Sequence, residues 1–543
     1  MKTLFRDVGA ALAVVVGLVG FEEARDSITA GEIRAHLFLL SSDSYEGRAP
    51  GTRGADLAAR YIQSRFMAAG LQPIHDSYVQ EVPVVGVTTR PETVALDFEH
   101  ETGSAAAAYP TDAVVWPGSP APRLEIAAEL VFVGYGIDAP EWDWDDFGDA
   151  DVAGKVLLFL VGDPPAPPEE PDLFAGRDLT YYGRWSYKLE EARRRGATGA
   201  LVVHRPDAAG YGWDVVMSSW TGERLTLQES GEATPTPLQG WLSGAFTADV
   251  LAQAGLDLDE LAVRAARRDF RPVPTGITVR GRLESTSRRV RTHNVVGYLP
   301  GSDSAAAQEV ILFTSHYDHL GIGAPVDGDS IYNGAYDNAS GIALLLEVAD
   351  AFARVDRPRR GVVFIATTGE EAGQLGARHY VRRPLFPLHR TAAAFNIDGA
   401  NLWGETDDVI ALGSELSSLG ESLRSRAARM GIQVRPDPVP ERGTFFRSDQ
   451  FPFARAGVPV LNIQHGLRFR GRPSGWGDAL MERWLELHYH KPSDEFDPAA
   501  DLSGAVQQGR LLFSVGYDVA NADSAPRWHD DAPYHAARDS TAP

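Results

Sequence analysis

The stretch Val310-Ile311-Leu312-Phe313-Thr314-Ser315-His316-Tyr317-Asp318-His319-Leu320-Gly321 sets the reading of this chain. Five apolar or β-branched residues in a row suit a strand buried on both faces, and ionisable and turn-forming residues follow at once. The same texture recurs at Val362–Thr367, Ala392–Ile397 and Val458–Ile463. Between these runs lie helical patterns at Gly341–Phe352, Leu416–Met430 and Ala505–Ala520. Strands that alternate with helices predict an α/β fold, a three-layer αβα sandwich with a mainly parallel central sheet.

In open sheets of this kind the working residues sit just past the carboxyl ends of strands. His316 and Asp318 follow the first run, Glu370 and Glu371 the second, and Asp398 the third. Asp337 stands before the Gly341 helix, and His488-Tyr489-His490 follows the Trp484–Leu487 segment. Taken singly, each has a plain structural reading. A His-x-Asp is a common turn, Asp337 can be a helix N-cap, paired glutamates suit an exposed first helical turn, and a His pair suits a surface turn. Asp318 can also accept the second N–H of a metal-bound His316. Two adjacent carboxylates at a buried strand end are costly unless a cation neutralises them. Together, in this order and at loop positions, the residues describe a metal site built from imidazole and carboxylate.

The rest of the composition agrees. The chain has 543 residues, too many for one compact core, so two domains or a large insertion are expected. A formal charge of −23 argues against nucleic acid as a partner. No cysteine is present, which removes disulfides, thiolate nucleophiles and Cys-ligated zinc. Lys2 and Arg6 precede an apolar run from Val8 to Gly20. That run is too short to span a bilayer but suits a signal peptide, here placed at 1–25, with a secreted or periplasmic protein and no membrane span in the mature chain.

From Ile28 to Gln80 the pattern is helical, interrupted by the turn-rich loop Glu46–Gly54. After about Pro83 short β-rich runs appear at Ala128–Val133, Val156–Val161 and Ala200–His204, with one helix at Tyr187–Arg195. The expected organisation is N-terminal helices at 26–84, an inserted β-rich domain at 85–286, and a catalytic domain with its tail at 287–543. The stretch Glu141-Trp142-Asp143-Trp144-Asp145-Asp146 reads as a solvated loop, and the tail after Asn521 as extended and loosely packed.

These motifs resemble metallopeptidase family 28 of clan MH, the co-catalytic zinc peptidases. The middle region resembles a protease-associated domain through Val131–Gly136, Val152–Val156 and Lys188–Ala200. The resemblance implies two Zn2+ ions, with Co2+ or Mn2+ as substitutes. His316 and Asp398 would hold one ion, Glu371 and His490 the other, and Asp337 would bridge them. It implies Glu370 as general base, Asp318 as the partner of His316, and Tyr489 as a polariser of the scissile carbonyl. A cis peptide after Asp337 is also implied. Two ions bring +4 and three ligand carboxylates −3, so a bridging hydroxide would leave the cluster neutral. Two departures stand out: Tyr336 where an acid is common, and Gln450 where His is common.

The implied activity is an aminopeptidase acting on peptides with a free N-terminus. A carboxypeptidase or dipeptidase is the alternative, needing a basic cluster for the substrate carboxylate; Arg442, Arg447, Arg468 and Arg470 are the candidates. A receptor-like binding protein on a dead peptidase fold is the alternative of another class. The sequence carries no signal of oligomeric state.

Overall fold

The computed structural model describes residues 20–228, 235–304, 306 and 308–540. The chain divides into two units: Met1–Pro83, Val290–Pro438 and Phe445–Pro543 form the first, Val84–Arg289 and Val439–Thr444 the second. The apolar run ending at Gly20 lies outside the described residues save for that glycine. Phe21, just after it, is buried, its ring 5.4 Å from that of Phe513. Among the described residues no helix is long and apolar enough to cross a membrane.

In the first unit, helices α1 (Ala30–Leu40) and α2 (Arg53–Ala68) come first. The end of the long strand β1 (Val273–Leu299) that lies beyond Arg289 follows, then β2 (Val310–His316), α3 (Gly341–Arg354), β3 (Gly361–Thr367), β4 (Thr391–Asn396) and β5 (Asp408–Leu412). The chain continues through α4 (Leu419–Arg429), β6 (Gln433–Arg435), β7 (Val460–His465), α5 (Trp476–Leu487) and α6 (Ser503–Asn521). Strand order is β6-β5-β7-β4-β2-β3-β1. The four central strands β7, β4, β2 and β3 are parallel, while β5 and the Val295–Leu299 end of β1 pair antiparallel. The four apolar runs became these four parallel strands. Strand β5, which carries no strong sequence signal, was not anticipated.

Alternation along β2 explains why the run is apolar throughout. Ile311 and Phe313 enter one core with α1, α2, α3 and α6, whereas Val310 and Leu312 enter another with Tyr380 and Phe453. Phe313 lies level with Phe364 of β3 and Phe395 of β4, and the three rings stack across the sheet at 5.4 and 5.0 Å. Gly516 in α6 permits this, because a Cβ there would meet the Phe313 ring at 2.4 Å.

The second unit is also built on parallel strands: Arg123–Phe132, Val156–Leu160, Gly199–His204 and Leu238–Ser243 neighbour one another in that order. The helix Trp185–Arg194 packs by Lys188, Glu191 and Ala192. Two expectations fail here and in the tail. The acidic-aromatic stretch is not a solvated loop: Trp144 and Asp146 are buried, and the Asp146 carboxylate accepts from Ile137 N and Trp144 Nε1 at 2.8 Å each. The tail is not loose, since buried Trp528 donates its indole N–H to Gly457 O at 2.9 Å and stacks near Tyr534. In both cases a buried tryptophan ring also finds an acceptor for its indole N–H.

Truncating the stacked ring tests this core. Phe313→Ala is expected to cost about 3–5 kcal/mol, read as a lower melting transition for the first unit with the second unit's transition unmoved.

Candidate metal centre

Strand β2 has β3 on one side and β4 on the other, so the chain reverses its winding there and opens a crevice at the strands' carboxyl ends. His316 is the last residue of β2. Glu370 and Glu371 follow β3 and Asp398 follows β4. Asp337 lies in the wide turn Ala335–Ser340 ahead of α3, and His490 in the loop after α5.

These side chains converge. His316 Nε2 is 3.3 Å from Asp398 Oδ1 and 3.4 Å from Asp337 Oδ1. His490 Nε2 is 3.1 Å from Glu371 Oε2 and 3.4 Å from Asp337 Oδ2. One oxygen of Asp337 thus faces each imidazole. Donor atoms of His316, Asp337 and Glu371 all fall within 4.8 Å of one another. Among the described residues His490 Nε2 is buried with no hydrogen bond of good geometry, although carboxylate oxygens surround it, an arrangement that suits a ligating nitrogen. Two imidazoles and three carboxylates with such a nitrogen fit zinc.

The plain readings of the single motifs do not describe this geometry. Asp337 is no helix cap: Asn338 Oδ1 accepts the Gly341 N–H at 3.0 Å instead. The Asp337–Asn338 peptide is cis. Glu370 and Glu371 are withdrawn from solvent, and the next helix starts only at Leu375. His488 points elsewhere, its Nδ1 2.9 Å from Ser493 O, and it is His490 that enters the crevice. The Tyr489 ring stacks on His490 with centroids 3.9 Å apart and is 41% exposed.

Asp318 lies beside the His316 imidazole and makes a further contact of its own. His316 Nδ1 lies 3.2 Å from the Asp318 backbone carbonyl and 3.9 Å from its carboxylate. The carboxylate accepts the Glu370 N–H at 3.2 Å. It therefore ties the β2 loop to the Glu370 loop. Burial pushes the Glu370 carboxyl well above its usual range; His316 opposes this, while Asp398, Asp449 and Glu371 reinforce it.

Three supporting residues have partners that the sequence did not reveal. Fully buried Arg48 donates to the carbonyls of Leu40, Tyr317, Asn333 and Gly334, binding the loops that carry His316 and Asp337 to the end of α1. Asp494 accepts the N–H groups of Tyr336 and Asp337 at 3.0 Å each, so the His490 loop clamps the Asp337 turn. His319 places Nδ1 2.6 Å from Glu371 Oε1. Arg48 and His319 stood inside quoted motifs, but only three-dimensional proximity reveals their partners.

Residues 294–514 match the model of Peptidase family M28. This part of the chain is similar to the M28 peptidases. Aminopeptidase YwaD of Bacillus subtilis is 27% identical over 223 residues, covering 40% of this chain and 43% of that protein. A "Probable zinc metalloprotease" of Pyrenophora teres f. teres is 36% identical over 255 residues, covering 44% and 50%. The chain thus spans about half the length of these curated relatives. The solved aminopeptidase from Aneurinibacillus sp. strain AM-1 shares the fold at a TM-score of 0.54, with 19% identity over 92% of this chain and 95% of that one.

The two departures from the M28 pattern have clear places. The Tyr336 ring packs 4.6 Å from Trp484 and 5.3 Å from Trp403, replacing an acid by an aromatic contact. Gln450 is a buried hub: its Oε1 accepts from Asn396 and Asn462, and its Nε2 donates to Phe445 O.

Asp494→Asn would present an amide N–H to one of two backbone donors that now share a carboxylate. The expected cost is about 1–3 kcal/mol, measured as a fall in the melting temperature of the metal-free protein.

Proposed function

We propose that the chain is a zinc-dependent exopeptidase, an aminopeptidase that releases N-terminal residues from peptides, and that it holds two ions. The observation that carries this reading is the split of the Asp337 carboxylate between His316 and His490, each with its own further carboxylate. His316 and Asp398 would hold one zinc, Glu371 and His490 the other, and Asp337 both. Bound zinc would supply Lewis-acid polarisation of the scissile carbonyl and a water acidic enough to attack at neutral pH.

The chain's own groups do the rest. Glu370 is buried, and its affinity for a proton is raised, so it can take the attacking water's proton on its carboxylate and return it to the leaving amine. The Asp318 carboxylate, bonded to the Glu370 amide, holds that loop in place. Tyr489, beside His490, is positioned on the exposed side, where its hydroxyl can meet the substrate carbonyl. The second unit is read as a protease-associated module, and the N-terminal run as an export signal.

Two of the four arginine candidates for the carboxypeptidase alternative are engaged elsewhere. Arg468 pairs with Asp408 and Arg470 with Asp407 and Glu405. Arg447 keeps it alive, because its Nε is buried without a hydrogen-bond partner among the described residues. Aminoacyl-nitroanilides assayed beside N-blocked peptides separate the two: cleavage of the free-amine set alone is expected, and cleavage of only the blocked set sinks the aminopeptidase reading. Metal analysis should return two zinc ions per chain, and chelation should abolish turnover. Glu370→Gln should keep both ions and lower kcat by about 100- to 10,000-fold.

A further inference from the structure

His319 is the one imidazole at the centre whose chemistry the proposed mechanism does not use. Its side chain is fully buried. Nδ1 lies 2.6 Å from Glu371 Oε1, while Nε2 is buried with no hydrogen-bond partner among the described residues. A proton on Nε2 would be a buried donor with nothing to meet, so the single proton of a neutral ring belongs on Nδ1, facing Glu371. The ring has little freedom to turn away. Gly334, at φ 56°, is pressed against it so closely that a Cβ would meet its Cγ and Cδ2 at 2.6 Å. Its plane stands edge-on to His490 with centroids 5.7 Å apart.

This leaves the two oxygens of Glu371 with different neighbours. Oε1 is taken by His319, and Oε2 faces His490 Nε2 at 3.1 Å. We propose that His319 is a positioning residue: by donating Nδ1–H to Oε1 it fixes the rotation of the Glu371 carboxylate and leaves Oε2 to bind, with His490, the ion on that side. The inference rests on reading the centre as a metal site. Groups that orient a ligating side chain in this way typically change metal affinity by about 10- to 100-fold when removed.

The test is zinc affinity, resolved by site and read by competition with a chelating dye on the full chain. His316→Ala leaves the Glu371 side as the main site, and His490→Ala leaves the Asp398 side. In the first background His319→Gln, which cannot place a donor where Nδ1 lies, is expected to weaken zinc binding by about 10- to 100-fold. His319→Asn, whose amide nitrogen can stand near the Nδ1 position, is expected to restore most of it. In the His490→Ala background both substitutions should change affinity by less than about twofold, since the remaining ligands do not touch His319. Unchanged affinity with His319→Gln in the His316→Ala background overturns the proposal. So does an equal loss on both sides that tracks the melting temperature of the metal-free variants, because that pattern belongs to a packing role. Wild-type chain that binds no zinc overturns the metal-centre reading itself, and this inference with it.

Discussion

Carboxylates crowded where water is scarce repel one another, and the first unit is arranged around that repulsion. Asp318, Asp337, Glu370, Glu371, Asp398, Asp449 and Asp494 all meet in one crevice, most of them buried. Isolated buried charges of this kind cost several kcal/mol each, and they persist only where cations or donors compensate. Part of the compensation is visible in the chain. Two imidazoles stand between the carboxylates, backbone N–H groups cap Asp318 and Asp494, and Arg48 brings a guanidinium underneath. Its own pKa is pushed down to about 10 by burial while those same acids pull it back up. The remaining negative charge is what divalent ions would answer.

The scaffold makes the crowding tolerable because it is stiff where the ligands leave it. His316, the Glu pair and Asp398 each depart from a central strand within a few residues of its end, and those strands are locked by the stacked rings of Phe313, Phe364 and Phe395. A ligand close to such a strand end inherits the strand's position. Asp337 and His490 come from loops instead, and these two carry the extra clamps from Asn338, Arg48 and Asp494. Support is densest where the backbone would otherwise be least constrained.

Much of this was legible in the chain of letters. The parallel strands announced themselves as apolar runs because both faces are covered, and the donors because they follow those runs directly. The contribution of Asp494 was not legible, since a carboxylate in a Pro-Ser-Asp turn looks like any surface residue until its partners at 336 and 337 are known. Asp318 was foreseen beside His316, where its carboxylate stands 3.9 Å from Nδ1, but its second contact, with the Glu370 amide, has no signal in the spacing. His319 was hidden by its neighbour, because a second histidine three residues on has no periodicity to set it apart. Trp144 and Trp528 misled for a related reason. Their acidic surroundings dominate the composition, while a single indole decides the burial.

Arg48 has one further consequence, which concerns time rather than geometry. Three of its four carbonyl partners lie 269 to 286 residues further along the chain. The turn it steadies is clamped in turn by Asp494, 158 and 157 residues beyond Tyr336 and Asp337. Contacts so distant in sequence form late. During synthesis the donors on β2, β3 and β4 emerge long before the loop that completes their set. A chain still on the ribosome, or one clipped before Asp494, therefore carries most of the ligands without a finished centre.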